Sequence, residues 1–247
     1  MIQPLEAAQE AARSAGGLLR SHFGKSLTVN ATTAHDIKLE VDVLAQNLIT
    51  EILLKHFPTH ALYGEEGIVG DQSSDHQWVV DPLDGTVNFF YGIPHFCVSI
   101  ALRLRGKIIV GVIYDPMREE LWSAEKGQTP SLNGNAIHVS PRDELADAVV
   151  SIGFAKTNAT IEVGLPLLQE MVHRVRKCRM LGSAALDMAY VACGRLDAYI
   201  EQGISLWDVA AGMLLVESAG GRVELEPRPD MPDKFRIIAS SGRLELR

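Results

Sequence analysis

The sequence predicts a mixed α/β protein built from two unlike halves. Three observations carry that expectation. The first 57 residues contain two segments with helical apolar spacing. A run of short alternating segments follows, to about Val139. Beyond Asp147, strand-like and helix-like segments alternate, as they do in α/β units.

Taken in order, Pro4 to His22 places Leu5, Ala8, Ala12, Ala15 and Leu19 at helical spacing, and the pattern ends near Phe23-Gly24. A polar connection covers Lys25 to His35. The second helix runs from about Val41 to Phe57, with Val41, Leu44, Leu48, Ile52 and Leu53 as its apolar face and Pro58 as its stop. Asp42 sits in its first turn, where the helix dipole favours a carboxylate. Ala61-Leu62-Tyr63 is a short strand leading into Gly64-Glu65-Glu66-Gly67, followed by a polar loop from Val69 to His76. Gln77 to Val80 is a strand. Phe96 to Arg103 and Lys107 to Tyr114 form a hairpin about Gly106. Glu120 to Ala124 and Ala136 to Val139 are further strands, with a turn at Asn133-Gly134-Asn135.

In the second half, Asp147 to Phe154 is a strand, Thr160 to Val175 a helix, Lys177 to Leu181 a strand and Ser183 to Ala192 a helix. Ala198 to Glu201 is a strand, and Ser205 to Ala219 a helix closed by Gly220-Gly221. Val223 to Leu225 and Arg236 to Ala239 are the last strands. A soft boundary near Pro141 to Leu145 divides the chain into 1–142 and 143–247.

The chemistry concentrates in Trp78-Val79-Val80-Asp81-Pro82-Leu83-Asp84-Gly85-Thr86-Val87-Asn88-Phe89. An apolar strand delivers two carboxylates three positions apart on a tight turn, where each repels the other. Such a pair is costly unless a cation lies between them. A hard divalent ion such as Mg²⁺ prefers oxygen ligands and suits the task. Glu65 after Tyr63-Gly64, and Asp208 after Trp207, share the pattern of an acid at the edge of a regular element. Taken singly, Glu65 and Glu66 read equally as loop charges, Asp208 as a helix cap, and Asp84-Gly85 as an ordinary turn. The joint occurrence carries the metal reading.

Composition narrows the classes. The chain has 247 residues, 47% hydrophobic and 22% charged, enough for a large core, and a net charge of −8 that disfavours a nucleic-acid surface. Three scattered cysteines form no CxxC pair, which suits reduced thiols in the cytoplasm. The eight histidines, His35, His56, His60 and His95 among them, show no metal spacing. Met1 to Phe23 lacks a secretory pattern, and no apolar run approaches the roughly 18 residues that span a membrane.

Gly64-Glu65-Glu66, Asp81-Pro82-Leu83-Asp84-Gly85-Thr86 with Asn88-Phe89, and Trp207-Asp208-Val209-Ala210-Ala211 followed by Glu217-Ser218-Ala219-Gly220-Gly221 resemble the hallmark segments of the inositol monophosphatase family. The resemblance extends over nearly the whole chain. It implies a layered αβαβα sandwich of the inositol monophosphatase and fructose-1,6-bisphosphatase type, a homodimer, and a lithium-sensitive phosphomonoesterase using two or three Mg²⁺ ions. By the same resemblance, Glu65, Asp81 and the Leu83 carbonyl hold the first ion, Asp81, Asp84 and Asp208 the second, and Glu65 a weaker third. A metal-activated water then attacks phosphorus in line, with no phosphoenzyme. Thr86 helps activate that water, with Asp42 as its carboxylate partner. A threonine hydroxyl is a poor base alone and needs such a partner. Gly85 and Thr86 N–H groups would cradle phosphate, while Gly182-Ser183-Ala184 and Glu201 would touch polyol hydroxyls, beside Asp84 and Asp208.

The chain departs from the family pattern at Val87, in the run from Asp36 to Val41, and at Ser205-Leu206. Lys38 or Glu40 adds charge at the pocket edge. The expected reaction is therefore hydrolysis of a small phosphate monoester, first of all inositol 1-phosphate. Fructose 1,6-bisphosphate, histidinol phosphate and 3′-phosphoadenosine 5′-phosphate are rivals on the same fold. A bisphosphate would require an extra basic residue near Glu201 or Lys38, and a nucleotide an aromatic slot. A non-catalytic metal- and phosphate-binding regulator is the reading from another class.

Overall fold

The structure is a computed structural model that describes residues 2–32, 37–154 and 158–246. The expected connection from Lys25 to His35 enters residues 33–36, which include His35 and Asp36 and lie outside the described residues. Helix α1 (Pro4–His22) starts on a proline and buries Ala7, Ala8, Ala11, Ala12, Ala15 and Leu19. These small residues let it lie close to its neighbours. Strands β1 (Val29–Thr32) and β2 (Ile37–Leu39) pair antiparallel where only a connection was expected. Helix α2 (Glu40–His56) is rotated from the expected face. It buries Val41, Asp42, Ala45, Gln46, Ile49 and Leu53, and leaves Leu44 44% exposed. Asp42 and Gln46 lie one turn apart and both find backbone partners inside, so they override the count of apolar residues.

The first sheet contains β3 (Ala61–Gly64), β4 (Gly67–Val69), β5 (His76–Asp84), β6 (Cys97–Leu104), β7 (Lys107–Asp115), β8 (Glu120–Glu125), β9 (Ser131–Leu132) and β10 (Asn135–Ala136), with the short helix α3 (Thr86–Phe90) after β5. Their order is β10-β9-β8-β7-β6-β5-β3-β4, antiparallel except where β3 runs parallel to β5. Strand β5 does not stop at Val80 as expected. Asp81 faces Ser99 and Asp84 faces Cys97, so the ladder slips between them, and Pro82 occupies the slip, where its missing N–H does no harm. The expected strand from Ala136 to Val139 shrinks to the β9–β10 hairpin about Asn133-Gly134. Val139 instead donates its N–H to the Ala219 carbonyl, 3.2 Å.

The second sheet contains β11 (Val149–Ile152), β12 (Lys177–Arg179), β13 (Ala198–Ile204), β14 (Arg222–Pro227) and β15 (Phe235–Ser240), interleaved with α4 (Asn158–Arg174), α5 (Ala184–Ala192) and α6 (Leu206–Ser218). Its order is β12-β11-β13-β15-β14, with β11 parallel to both its neighbours.

Helices α1 and α2 cover one face of the first sheet. Helices α5 and α6 fill the space between the two sheets, and α4 covers the far face of the second. The result is the five-layered αβαβα arrangement. Alternation along β5 sends Trp78 and Val80 toward α1 and α2, and Val79 toward α5 and α6. Asp81, two residues beyond Val79, therefore leaves the sheet on the side where α6 begins. Helix α6 is apolar on nearly every side because both sheets bury it. Among the described residues no helix is long and apolar enough to cross a membrane.

Candidate active site

Three carboxylates from distant parts of the chain meet at the end of β5. Glu65 stands in the turn between β3 and β4, and its N–H donates to the Val80 carbonyl at 3.1 Å. Gln46 of α2 braces that turn: its Oε1 accepts from the Glu66 N–H at 2.9 Å, and its Nε2 donates to the Gly67 carbonyl at 3.2 Å. Asp208 lies in the first turn of α6, where its Oδ2 accepts from the Ser205 N–H at 3.0 Å in a capping box. Asp81 is buried, and its Oδ1 accepts from the Leu83 N–H at 3.0 Å. One carboxylate oxygen from each of Glu65, Asp81 and Asp208 lies within 4.8 Å of the others. Burial pushes the Asp81 carboxyl well up. The charges of Glu65, Asp84 and Asp208 push it further, and so does a hydrogen bond to Asp208. Oxygen donors this close, repelling one another in a buried place, fit a hard divalent cation.

Asp84 is engaged differently. Its Oδ2 accepts from the Ser183 hydroxyl at 2.5 Å and the Ala185 N–H at 2.7 Å, so it caps the start of α5. Burial raises its pKa to about 6, and those two bonds restrain the rise. The Leu83 carbonyl accepts from the Thr86 hydroxyl at 3.0 Å. A hydroxyl has one proton, so Thr86 does not donate to Asp42 here. Asp42 accepts from the Leu39 N–H at 3.0 Å through Oδ2, while its Oδ1 has no hydrogen-bond partner among the described residues. Burial first, and then Glu66 and Glu65, raise its pKa to about 7 against the pull of the Leu39 bond.

Gly85 turns the chain from β5 into α3 at φ +95°, and a Cβ there would lie 3.0 Å from the His95 carbonyl oxygen. Both strain and contact oppose a side chain. Gly85→Ala should cost about 1–3 kcal/mol of stability, measured by urea unfolding; an unchanged midpoint would contradict the tightness of this turn.

Glu201 accepts from the Tyr199 hydroxyl at 2.5 Å, and Gly153 opposite leaves it room, since a Cβ there would sit 1.8 Å from Oε2. Burial raises Glu201 to about 7 despite the Tyr199 bond, and the charges of Asp208 and Asp84 add to it. Gly182-Ser183-Ala184 forms the turn into α5, beside Asp84.

Two residues without an assigned role in the sequence prove central. Asn88 Nδ2 donates to the His95 and Leu181 carbonyls, both at 2.9 Å, and so ties the turn before α5 to α3. Its signals were its place in the run from Trp78 to Phe89 and in the hallmark segment that includes Asn88-Phe89. Asp187 accepts from the Ser151 hydroxyl at 2.7 Å, and its carboxyl is pushed well up by burial and by the charges of Asp84 and Glu201. A lone acid on the apolar helix Ala184–Ala192 was its trace.

Five layers with this acidic cluster at the end of β5 define a class of phosphatase. The chain belongs to the inositol monophosphatase family, whose family model matches residues 2–246. It is 43% identical to a protein of Pseudomonas aeruginosa named Nus factor SuhB, covering 98% of this chain and 93% of that one. It is 40% identical to an inositol-1-monophosphatase of Mesorhizobium japonicum, over 94% of this chain and 89% of the relative. Among solved structures, the extragenic suppressor protein suhB from Bartonella henselae superposes with a TM-score of 0.89 at 38% identity, covering 96% and 93% of the two chains. The inositol monophosphatase from Anabaena (Nostoc) sp. gives 0.82 at 38% identity, covering 97% and 90%.

Proposed function

We propose that this protein hydrolyses a small phosphate monoester in the cytoplasm with Mg²⁺, inositol 1-phosphate first among the substrates. The observation that carries the reading is the approach of Glu65, Asp81 and Asp208 oxygens within 4.8 Å. In this reading Asp84 and the Leu83 carbonyl complete the donor set for two or three ions. Bound Mg²⁺ supplies charge neutralisation for phosphoryl transfer, which needs positioning more than covalent chemistry. The chain's own residues do the rest. Among the described residues Asp42 keeps one unpartnered oxygen and, in this reading, accepts a proton relayed through Thr86 once that hydroxyl turns away from the Leu83 carbonyl. Glu65 assists that proton transfer. The Gly85 and Thr86 N–H groups receive phosphate oxygens. Glu201 accepts substrate hydroxyls, with Gly182, Ser183 and Ala184 shaping that edge.

A homodimer is part of the proposal. Phe90, Tyr91 and Ile93, close together in the chain, are exposed apolar residues, and Tyr91 is 69% exposed.

A panel of inositol 1-phosphate, fructose 1,6-bisphosphate and histidinol phosphate, assayed with and without Mg²⁺, tests the reading. Inositol 1-phosphate should turn over fastest, and only with the metal. Turnover no faster than that of generic esters would overturn the substrate. Relatives named Nus factor SuhB, matched over 98% and 89% of this chain, support a second reading as a non-catalytic regulator. No phosphate release from any ester on the panel would favour it.

A further inference from the structure

The turn joining β14 to β15 brings a lysine to the polyol edge of the site. Lys234 Nζ donates to the Ser205 hydroxyl at 2.6 Å, at the start of the helix that carries Asp208. Its positive charge also acts on the Glu201 carboxylate. The turn is braced to hold it there. The Arg228 N–H donates to the Lys234 carbonyl at 2.9 Å, and the Arg228 guanidinium pairs with Asp230 at 2.7 Å. The same guanidinium donates to the Gln202 carbonyl, next to Glu201. Lys38, the other lysine expected at the pocket edge, is paired with Glu66 at 3.2 Å.

An ammonium carries three donors, and the Ser205 hydroxyl uses one. The charges of Asp208 and Asp84 act on the same Glu201 carboxylate, and these three acids repel anions. A neutral polyol needs only acceptors and small donors at this edge. A fixed ammonium is what an anionic substituent needs, because lysine binds phosphate as a point charge.

We propose that Lys234 is a specificity-determining residue, which receives a second anionic group on the leaving-group side of the substrate. Between two otherwise matched esters, the chain would then favour the one that carries a second phosphate or a carboxylate. The proposal rests on the phosphatase reading above and extends its substrate range to such esters beside inositol 1-phosphate.

The test compares fructose 1,6-bisphosphate with fructose 1-phosphate, two esters that differ in one anionic group. In Lys234→Met the ratio of their kcat/KM values should fall about tenfold, a change worth about 1.4 kcal/mol, through a raised KM for the bisphosphate. Lys234→Arg should restore much of the ratio. A ratio unchanged in Lys234→Met would overturn the proposal, as would a KM that rises equally for both esters alongside a lower melting temperature. If the parent protein hydrolyses neither ester, the phosphatase reading is decided by inositol 1-phosphate alone, and calorimetric titration with fructose 1,6-bisphosphate still decides the role of Lys234. Tighter binding to the parent than to Lys234→Met sustains it, and equal binding overturns it.

Discussion

Asp81→Asn should lower phosphate release by about 100- to 1,000-fold or more, while the metal-free protein melts no lower than the parent. The two halves of this expectation have one cause. Asp81 is buried with Glu65, Asp84 and Asp208 pressing on it, so without a cation its negative charge opposes folding. Asparagine keeps an oxygen for the Leu83 N–H at this position and removes the charge. The same substitution at Asp84 is a poorer probe. Asp84 Oδ2 holds both the Ser183 hydroxyl and the Ala185 N–H at the start of α5. Neutralising it weakens two charge-assisted bonds at a helix terminus, at a cost of about 1–2 kcal/mol. Phosphate release with Mg²⁺, and thermal melting in chelator, separate the cases. Near-parental activity in Asp81→Asn would remove Asp81 from the metal site, and a clearly lower melting temperature would show that its charge is satisfied by something other than a cation.

Much of this arrangement was legible in the chain because it follows local rules. The alternation of Val79 and Val80 already sets the side on which Asp81 emerges, and Gly85 marks the turn behind it. Ser205 and Asp208 announce the start of α6 by their spacing. Other features depend on contacts that no local window contains. The face of α2 was misread because Gln46 is drawn inward by the turn after β3, about twenty residues away. Asp84 read as a metal ligand and proves also to cap a helix that begins a hundred residues on. Pro82 read as the end of a strand, yet the ladder slips by one residue and continues past it. Lys234 sits in a polar turn with no motif, and only the pairing of β14 with β15 brings it to Ser205.

In chelator, the melting temperature should fall by roughly 5–10 °C as the pH is raised from about 5 to about 8. Asp42 is raised from 3.8 to about 7 and Glu201 from 4.5 to about 7, each first by burial. Asp84, raised to about 6, acts in the same sense. Between their unfolded and folded values these groups hold protons in the folded state that the unfolded chain has already released. Stability is therefore fullest below about pH 4 for these groups and is lost as pH rises toward 7. His60 and His95 work the other way, since burial lowers both and makes the folded state resist protonation below 6.5. Three buried carboxyls moved in one direction outweigh two histidines moved in the other. Adding Mg²⁺ at the higher pH should recover the loss, because an ion that binds only the folded chain stabilises it by mass action. A melting temperature that is flat or rises with pH in chelator would show that these carboxyls are not held in their acid forms. A loss that Mg²⁺ leaves unchanged would show that the acidic cluster does not bind the ion in the folded chain.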